Sequence, residues 1–411
     1  MMRRIPFQIS GLLALNGVSI LGNAITDIAI PWLILEISGS PLLVAAVMSA
    51  KIVPLILSIF FSPQLVDKYG AFRISVLSDL VNFLSVLLIP VFYTMDIMHF
   101  YLLAILLIFS TILDSPGRLA KDVMLAKEIK QNKSEHELIN GINSTIENIC
   151  DLTGPVLGSL IIALFGTINA LYFDAVSFLV VALGLIILKK HFVTNINKVT
   201  EVPSLPHHYF LEALKYVMSA KELFSILILS SVVNFVIAPF LIVYLPYVNK
   251  VEFNSVVSLG VSMTCFGLGT TLSSLLYGIY GKHFASNHII LSGYSLLVLC
   301  LISLSLLVLC LISLSLLSGQ YILFAQLFAI GCCIGFTAPV EVTLLQRQVP
   351  ENLFSRIMTL FSSTRFLAVP VGYVCFGTLL GSSLTKQTPL IMATIVLGGL
   401  LAYLAMRGRA K

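Results

Sequence analysis

Charge is what this chain has least of: 10% of its 411 residues are Asp, Glu, Lys or Arg, while 58% are hydrophobic. A soluble globular domain carries about 25% charged residues, so that class is excluded. No G-x-x-x-x-G-K-[ST] stretch is present to cradle phosphates, which argues against a nucleotide partner or ATP coupling within the chain. The seven histidines, His99, His136, His191, His207, His208, His283 and His288, fall at loops or span edges, and no His-x-x-x-His or Glu-x-x-His spacing lies inside a span. A catalytic cluster, a metal site and a cofactor are therefore not expected, and neither is an enzyme. All seven cysteines lie in hydrophobic runs, as small core residues do, with no disulfide framework.

What is present is a succession of long apolar runs, and a mean hydropathy of +1.01. A bilayer core of about 30 Å takes about 20 apolar residues per helix, and backbone polar groups in lipid demand helices rather than open strands. The expected fold class is thus an all-α integral membrane protein with about twelve transmembrane helices. Spans are placed near 7–36, 41–62, 74–94, 98–116, 140–165 and 168–188, then 223–248, 255–280, 288–317, 320–340, 357–380 and 388–406. Between the two sets lies one polar stretch, 189–222, with Lys189, Lys190, Lys198, Glu201, Lys215, Lys221, Pro203 and Pro206. The domains are then a six-helix bundle at 1–188, a cytoplasmic hinge at 189–222 and a second six-helix bundle at 223–411. Within the hinge Phe210, Leu211, Leu214 and Val217 have helical spacing, which predicts an amphipathic helix on the membrane face; a solvated connector is the plainer alternative.

Basic residues near span ends stay cytoplasmic. With both termini inside, Lys250 and Lys386 face out, Lys51 and Arg365 lie within spans, and the other twenty of the 24 fall on the inner side. The net charge of +5 is accordingly a topology signal and implies no nucleic-acid partner. The start, MMRR followed by an apolar run without a small-residue cleavage site, reads as an uncleaved first span.

Polar residues inside spans are costly and functional by default. Asn16, Asn23 and Asp27 share one face of span 1. Lys51 lies about halfway through span 2, within reach of Asp27 if the two antiparallel helices pack. Either the two form a structural ion pair, or Asp27 is a proton or cation site with Lys51 as its counter-ion or as an anchor for an anionic solute. Asn143, Glu147 and Asp151 share a face at the cytoplasmic mouth of span 5, as a second acidic stripe or as solvated entrance residues. Asp174 in span 6 has cavity and structural roles open to it. Lys121 to Glu137 mixes both charges and reads as a cytoplasmic loop. Arg365 in span 11 needs a carboxylate partner or an anionic ligand, and Glu341 at the cytoplasmic end of span 10 is the candidate.

Between spans 2 and 3 runs Ser62-Pro63-Gln64-Leu65-Val66-Asp67-Lys68-Tyr69-Gly70-Ala71-Phe72-Arg73. Asp67, Lys68, Gly70 and Arg73 resemble motif A of the major facilitator superfamily, a conformational latch, with departures at Ser62 and Ala71-Phe72 that would weaken it. Gly154-Pro155-Val156-Leu157-Gly158 in span 5 is similar to the Gly-Pro motif of that family's exporters, and Gly154 and Gly158 would let a neighbouring backbone approach. The loop Val349-Pro350-Glu351 to Arg356 resembles one found in the branch of drug and siderophore exporters that includes macrolide efflux and enterobactin export; Arg356 would start span 11 at the cytoplasmic face. Span 10 adds Gly331 and Gly335 as a further close-packing pair.

The second half repeats the plan weakly, and a perfect tandem decapeptide, SLLVLCLISL, stands at 295–304 and 305–314. Removing one copy shortens the run 289–317 from about 43 Å of helix to about 28 Å, the length that fits a bilayer. One copy therefore reads as an insertion that makes span 9 overhang, tilt or break.

The resemblance, which covers about 7–406, implies two six-helix bundles, alternating access and exchange of a solute for protons. It points to an inner-membrane, monomeric secondary transporter whose partners are a small organic solute, protons and the bilayer. Export of a drug-like compound or siderophore is the favoured direction, with Asp27 carrying the proton and Lys51 and Arg365 shaping a site for an acidic or polar solute. Uptake by the same fold is the main rival, and a non-transporting receptor or scaffold would leave the intramembrane charges dispensable.

Overall fold

The computed structural model describes residues 5–131, 136–191, 208–283, 286–310, 316–382 and 384–408. The described residues are helical almost throughout, and twelve helical segments among them are long and apolar enough to cross a membrane. The chain divides into two compact units, Met1–Ile37 with Ala50–Ser204, and Ser38–Ser49 with Leu205–Lys411. The division at Ser204 and Leu205 falls in the polar stretch 189–222, of which residues 192–207 lie outside the described residues.

The first unit contains α1 (Phe7–Ser38), most of α2 (Pro41–Tyr69), α3 (Ala71–Thr94), α4 (Phe100–Ile112), α5 (Asp114–Gln131), α6 (His136–Phe165) and α7 (Thr167–Leu188). The break between α2 and α3 is a single residue, Gly70, at φ +86°. The left-handed side of the map is open to glycine and costs other residues about 1–2 kcal/mol, so the helices reverse where the sequence places that glycine. α3 packs on α5 and α7. At one end of the unit Ile9, Leu13, Val66, Ile74, Met124 and Leu185 form an apolar cluster.

One expectation is corrected here. From Lys121 to Gln131 the mixed-charge stretch after span 4 is not a loop, because helix continues to Gln131 and the apolar span runs from Phe100 to Lys130, while residues 132–135 lie outside the described residues. Ala120, Met124 and Ile129 are fully buried along one face of α5, and Glu128 is 1% exposed on that side. The charges that read as a solvated surface are divided between an outer face carrying Arg118, Asp122 and Lys130 and an inner face.

The second unit contains α8 (His208–Ser219), α9 (Lys221–Pro239), α10 (Leu245–Val248), α11 (Val256–Tyr280), α12 (Ser286–Cys310), α13 (Leu316–Gln348), α14 (Glu351–Leu380) and α15 (Thr388–Gly408). Helix α8 coincides with the expected amphipathic segment: Val217 is buried, and the Tyr216 hydroxyl donates to the Gln348 carbonyl at 3.1 Å. α9 and α10 form one span, Lys221–Phe253, interrupted by π-helical turns at Phe240–Tyr244 and Asn249–Phe253. α11 and α13 are packed closely. A Cβ on Gly331 would meet the Phe266 backbone, one on Gly335 the Thr270 backbone, and one on Gly269 the Phe328 backbone. Gly331 and Gly335 thus act as the close-packing pair expected from their spacing, with Gly269 answering from the facing helix.

The first decapeptide copy is helical within α12, whose apolar span is His288–Ser305. The helix continues into the second copy as far as Cys310, and residues 311–315, where that copy ends, lie outside the described residues.

Candidate functional site

Helices α1 and α2 bring Asp27 and Lys51 together. Lys51 Nζ donates to Asp27 Oδ1 at 2.8 Å, with the lysine side chain 22% exposed and the aspartate 54% exposed. The pair lies about 30 Å along α1 from its first residue at 1.5 Å rise per residue. A carboxylate this open within an apolar span is tolerable facing water rather than lipid. Thr111 of α4 reaches the same level, its hydroxyl donating to the Lys51 carbonyl at 3.2 Å.

Asn16, three turns below Asp27, turns toward α6. Its amide donates to Asn143 Oδ1 at 3.1 Å and Glu147 Oε1 at 3.5 Å, and Asn143 donates to Glu147 Oε1 at 2.8 Å. The two polar stripes of the sequence therefore meet, while Asp151 is exposed and Asn23 is half-buried without a side-chain hydrogen bond among the described residues. Just above, Gly154 and Gly158 lie against α1. A Cβ on Gly154 would meet Ala24 Cβ, and one on Gly158 would lie 3.2 Å from Ile25 Cα. Pro155 sits between them inside α6. The Gly-Pro stretch thus lies at a close approach of α6 to the helix carrying Asp27.

Asp174 of α7 is 1% exposed and faces α1. Thr26 Oγ1 donates to its Oδ2 and Ser177 Oγ to its Oδ1 at 3.3 Å, so both oxygens are held by hydroxyls. In the Gly70 turn, Lys68 lies over the Tyr69 ring at 5.2 Å and Arg73 is exposed. Asp67 is half-buried and forms no ion pair among the described residues.

In the second unit Arg365 meets Glu341 as their spacing suggested. Arg365 donates through its terminal amine to Glu341 Oε2 and through Nε to Ser230 Oγ at 3.1 Å. Tyr294 completes the group by donating to Glu341 Oε1 at 2.5 Å. Glu341 is 3% exposed and lies two turns short of the end of α13. The arginine side chain keeps 26% exposure, so part of it remains accessible beside the pair. Backbone at Arg356 belongs to α14, and its side chain lies outside the described residues.

The sequence reading missed a second polar layer in the first unit. Lys121 of α5 donates to Asp79 Oδ1 at 2.8 Å, and Asp79 is 2% exposed. One turn away along α3, Asn82 Nδ2 donates to Asp114 Oδ1 at 2.6 Å. The signal was present: Ser75, Ser78, Asp79, Asn82 and Ser85 follow one helical face of α3 and all are buried.

The family described as the Major Facilitator Superfamily matches residues 12–373. The chain is 25% identical over 363 residues to the multidrug efflux pump Tap of Mycolicibacterium fortuitum, covering 87% of this chain and 85% of that protein. It is 23% identical over 371 residues to macrolide efflux protein A of Streptococcus pyogenes, covering 87% and 86%. Among solved structures it is similar in fold to the nucleoside transporter NupG, with a TM-score of 0.74 at 12% identity over 98% of this chain and 99% of that one. A D-xylose-proton symporter gives a TM-score of 0.70 at 14% identity over 97% and 96%. With twelve apolar spans and a family match running through both units, the chain is a multi-pass membrane protein that belongs to the Major Facilitator Superfamily of transporters.

Proposed function

We propose that this protein is a proton-coupled exporter of small organic solutes, working by alternating access as a monomer in the cytoplasmic membrane with both termini inside. The observation that carries this is the Asp27–Lys51 pair, an ion pair left open in the middle of two apolar spans, where an ionisable group can take up and release a proton. Lys51 holds the carboxylate when the proton has left. Protonation of Asp27 removes that attraction and frees the ammonium for an acidic or polar solute. Arg365, held by Glu341 and Ser230 and still partly accessible, is the second cationic contact for the same class of solute. The segment 189–222 serves as the hinge, and the Gly70 turn with Asp67, Lys68 and Arg73 as the latch.

Export rather than uptake is supported by the efflux names of both relatives. Uptake is the second reading, because a solved neighbour is a symporter. Untargeted mass spectrometry of cells and medium decides between them, comparing strains that express the wild type and Asp27→Asn. An exporter leaves its cargo in the medium of the wild type and inside the variant. The reverse distribution means uptake, and identical distributions with added macrolides would defeat the transport role of Asp27.

A further inference from the structure

We propose that Asp114 and Asp79, with Asn82 positioning Asp114, form a proton relay that connects the Asp27–Lys51 pair to the end of the first unit carrying the Gly70 turn. The relay rests on Asp27 being the coupling group.

The groups form a continuous ladder. Thr111 touches the Lys51 backbone at 3.2 Å, and Asp114 follows one turn later on the same side, within electrostatic range of Lys51, Arg118 and Asp27. Asp114 Oδ1 accepts from Asn82 at 2.6 Å, and Asn82 is one turn from Asp79 along α3. Asp79 feels the charges of Lys121 and Asp114, and Lys121 Nζ also reaches Ser19 of α1 at 3.5 Å. At 1.5 Å per residue, Asn82 lies about 16 Å and Asp79 about 12 Å from the start of α3, so each step descends toward Gly70.

Asp79 Oδ2, Asn82 Oδ1 and Ser75 Oγ are buried and have no hydrogen-bond partner among the described residues. A buried polar group without a partner is costly, more so if charged. Asp79 and Asn82 stand three residues apart, where side chains are neighbours, and each presents a bare acceptor. Two acceptors with no donor between them call for one, and a proton on Asp79 Oδ2 would supply it. Ser75, one turn further toward Gly70, offers the next hydroxyl.

The transfer balances without another reactant. The proton leaves the Asp27 carboxyl, passes through water to the Asp114 carboxylate and through water again to the Asp79 carboxylate, while Asn82, whose N–H is given to Asp114, holds that carboxylate in place and carries no proton itself; the proton then leaves past Ser75. Two of the carboxylates it vacates are left beside a cation that keeps its own protons, Lys51 for Asp27 and Lys121 for Asp79, and Asp114 is left with the Asn82 N–H.

Infrared difference spectra of the purified full-length protein in liposomes, acidic minus alkaline, read the protonation of buried carboxyl groups without needing a substrate. The relay requires that Asp79→Asn and Asp114→Asn each remove one titrating carboxylic band. It also requires that Asp27→Asn move the midpoints of the bands that remain, because its charge acts on Asp114. Asp79→Glu and Asp114→Glu keep a titrating band at a changed position, and they decide the matter if an Asn variant does not fold. If Asp27→Asn removes a band while the Asp79 and Asp114 variants, Asn or Glu, leave the spectrum unchanged, those two are fixed structural charges and the relay is wrong, with Asp27 coupling intact. If the wild type shows no titrating carboxyl, proton coupling at Asp27 itself fails and the relay with it.

Discussion

The two units belong to one weakly repeated plan yet hold their helices in different ways. In the first, α3 and α5 are joined by polar side chains: the Asp79–Lys121 ion pair and a hydrogen bond from Asn82 to Asp114. In the second, α11 and α13 are joined by backbone, with Gly269, Gly331 and Gly335 admitting carbonyls where side chains would stand. Glycine contacts are indifferent to pH and allow one geometry. Paired charges respond to protonation and leave a strong field inside the unit. On the proposed function, ion handling would be concentrated in the first unit and Arg365–Glu341 would serve the solute in the second.

The largest effect that would sharpen the contrast comes from splitting the buried pair. Lys121→Met leaves Asp79 uncompensated and should cost about 3–5 kcal/mol, while adding Asp79→Leu should recover most of it; thermal unfolding in detergent checks both. Equal damage in the single and double variants would break the contrast. Next comes overpacking: Gly335→Leu should cost about 1–3 kcal/mol or more by forcing α11 from α13, read as a lower unfolding temperature with no dependence on pH. Smaller again is Gly70→Ala, which must hold φ +86° without glycine and should cost about 1–2 kcal/mol. Smallest for stability is Lys51→Met, whose half-open pair should be worth about 0–1 kcal/mol. That variant should fold normally yet bind anionic solutes more weakly than neutral ones, measured by equilibrium binding to the purified protein. A large loss of stability there would make Asp27–Lys51 a structural pair like Asp79–Lys121.

Much of this was readable from residue spacing. Span number follows from apolar length alone, and the Gly70 reversal from a glycine between two runs. Asp27–Lys51 and Arg365–Glu341 could be paired because a charge deep in an apolar run has few possible partners. Gly158 announced a close approach, although which backbone it met, that of Ile25, depends on tertiary packing. Asp79 and Lys121 escaped for a physical reason. Five small or polar residues on one face of α3 dilute into an apolar average, so the stripe is visible only as a period. Lys121 sits among Arg118, Asp122, Lys127 and Glu128, and a mixed-charge segment reads as solvated until its helix is seen to turn Lys121 and Glu128 inward. The length of α12 and the fate of the second decapeptide were not decided by composition, since both copies are equally apolar.

The most direct test is uphill accumulation of a macrolide in inverted membrane vesicles energised by an imposed pH gradient, with and without nigericin, for the wild type and Asp27→Asn. Coupling through Asp27 predicts nigericin-sensitive accumulation in the wild type and none above passive entry in the variant, with equal amounts of folded protein in both membranes. Accumulation in Asp27→Asn that matches the wild type and collapses with nigericin would contradict it.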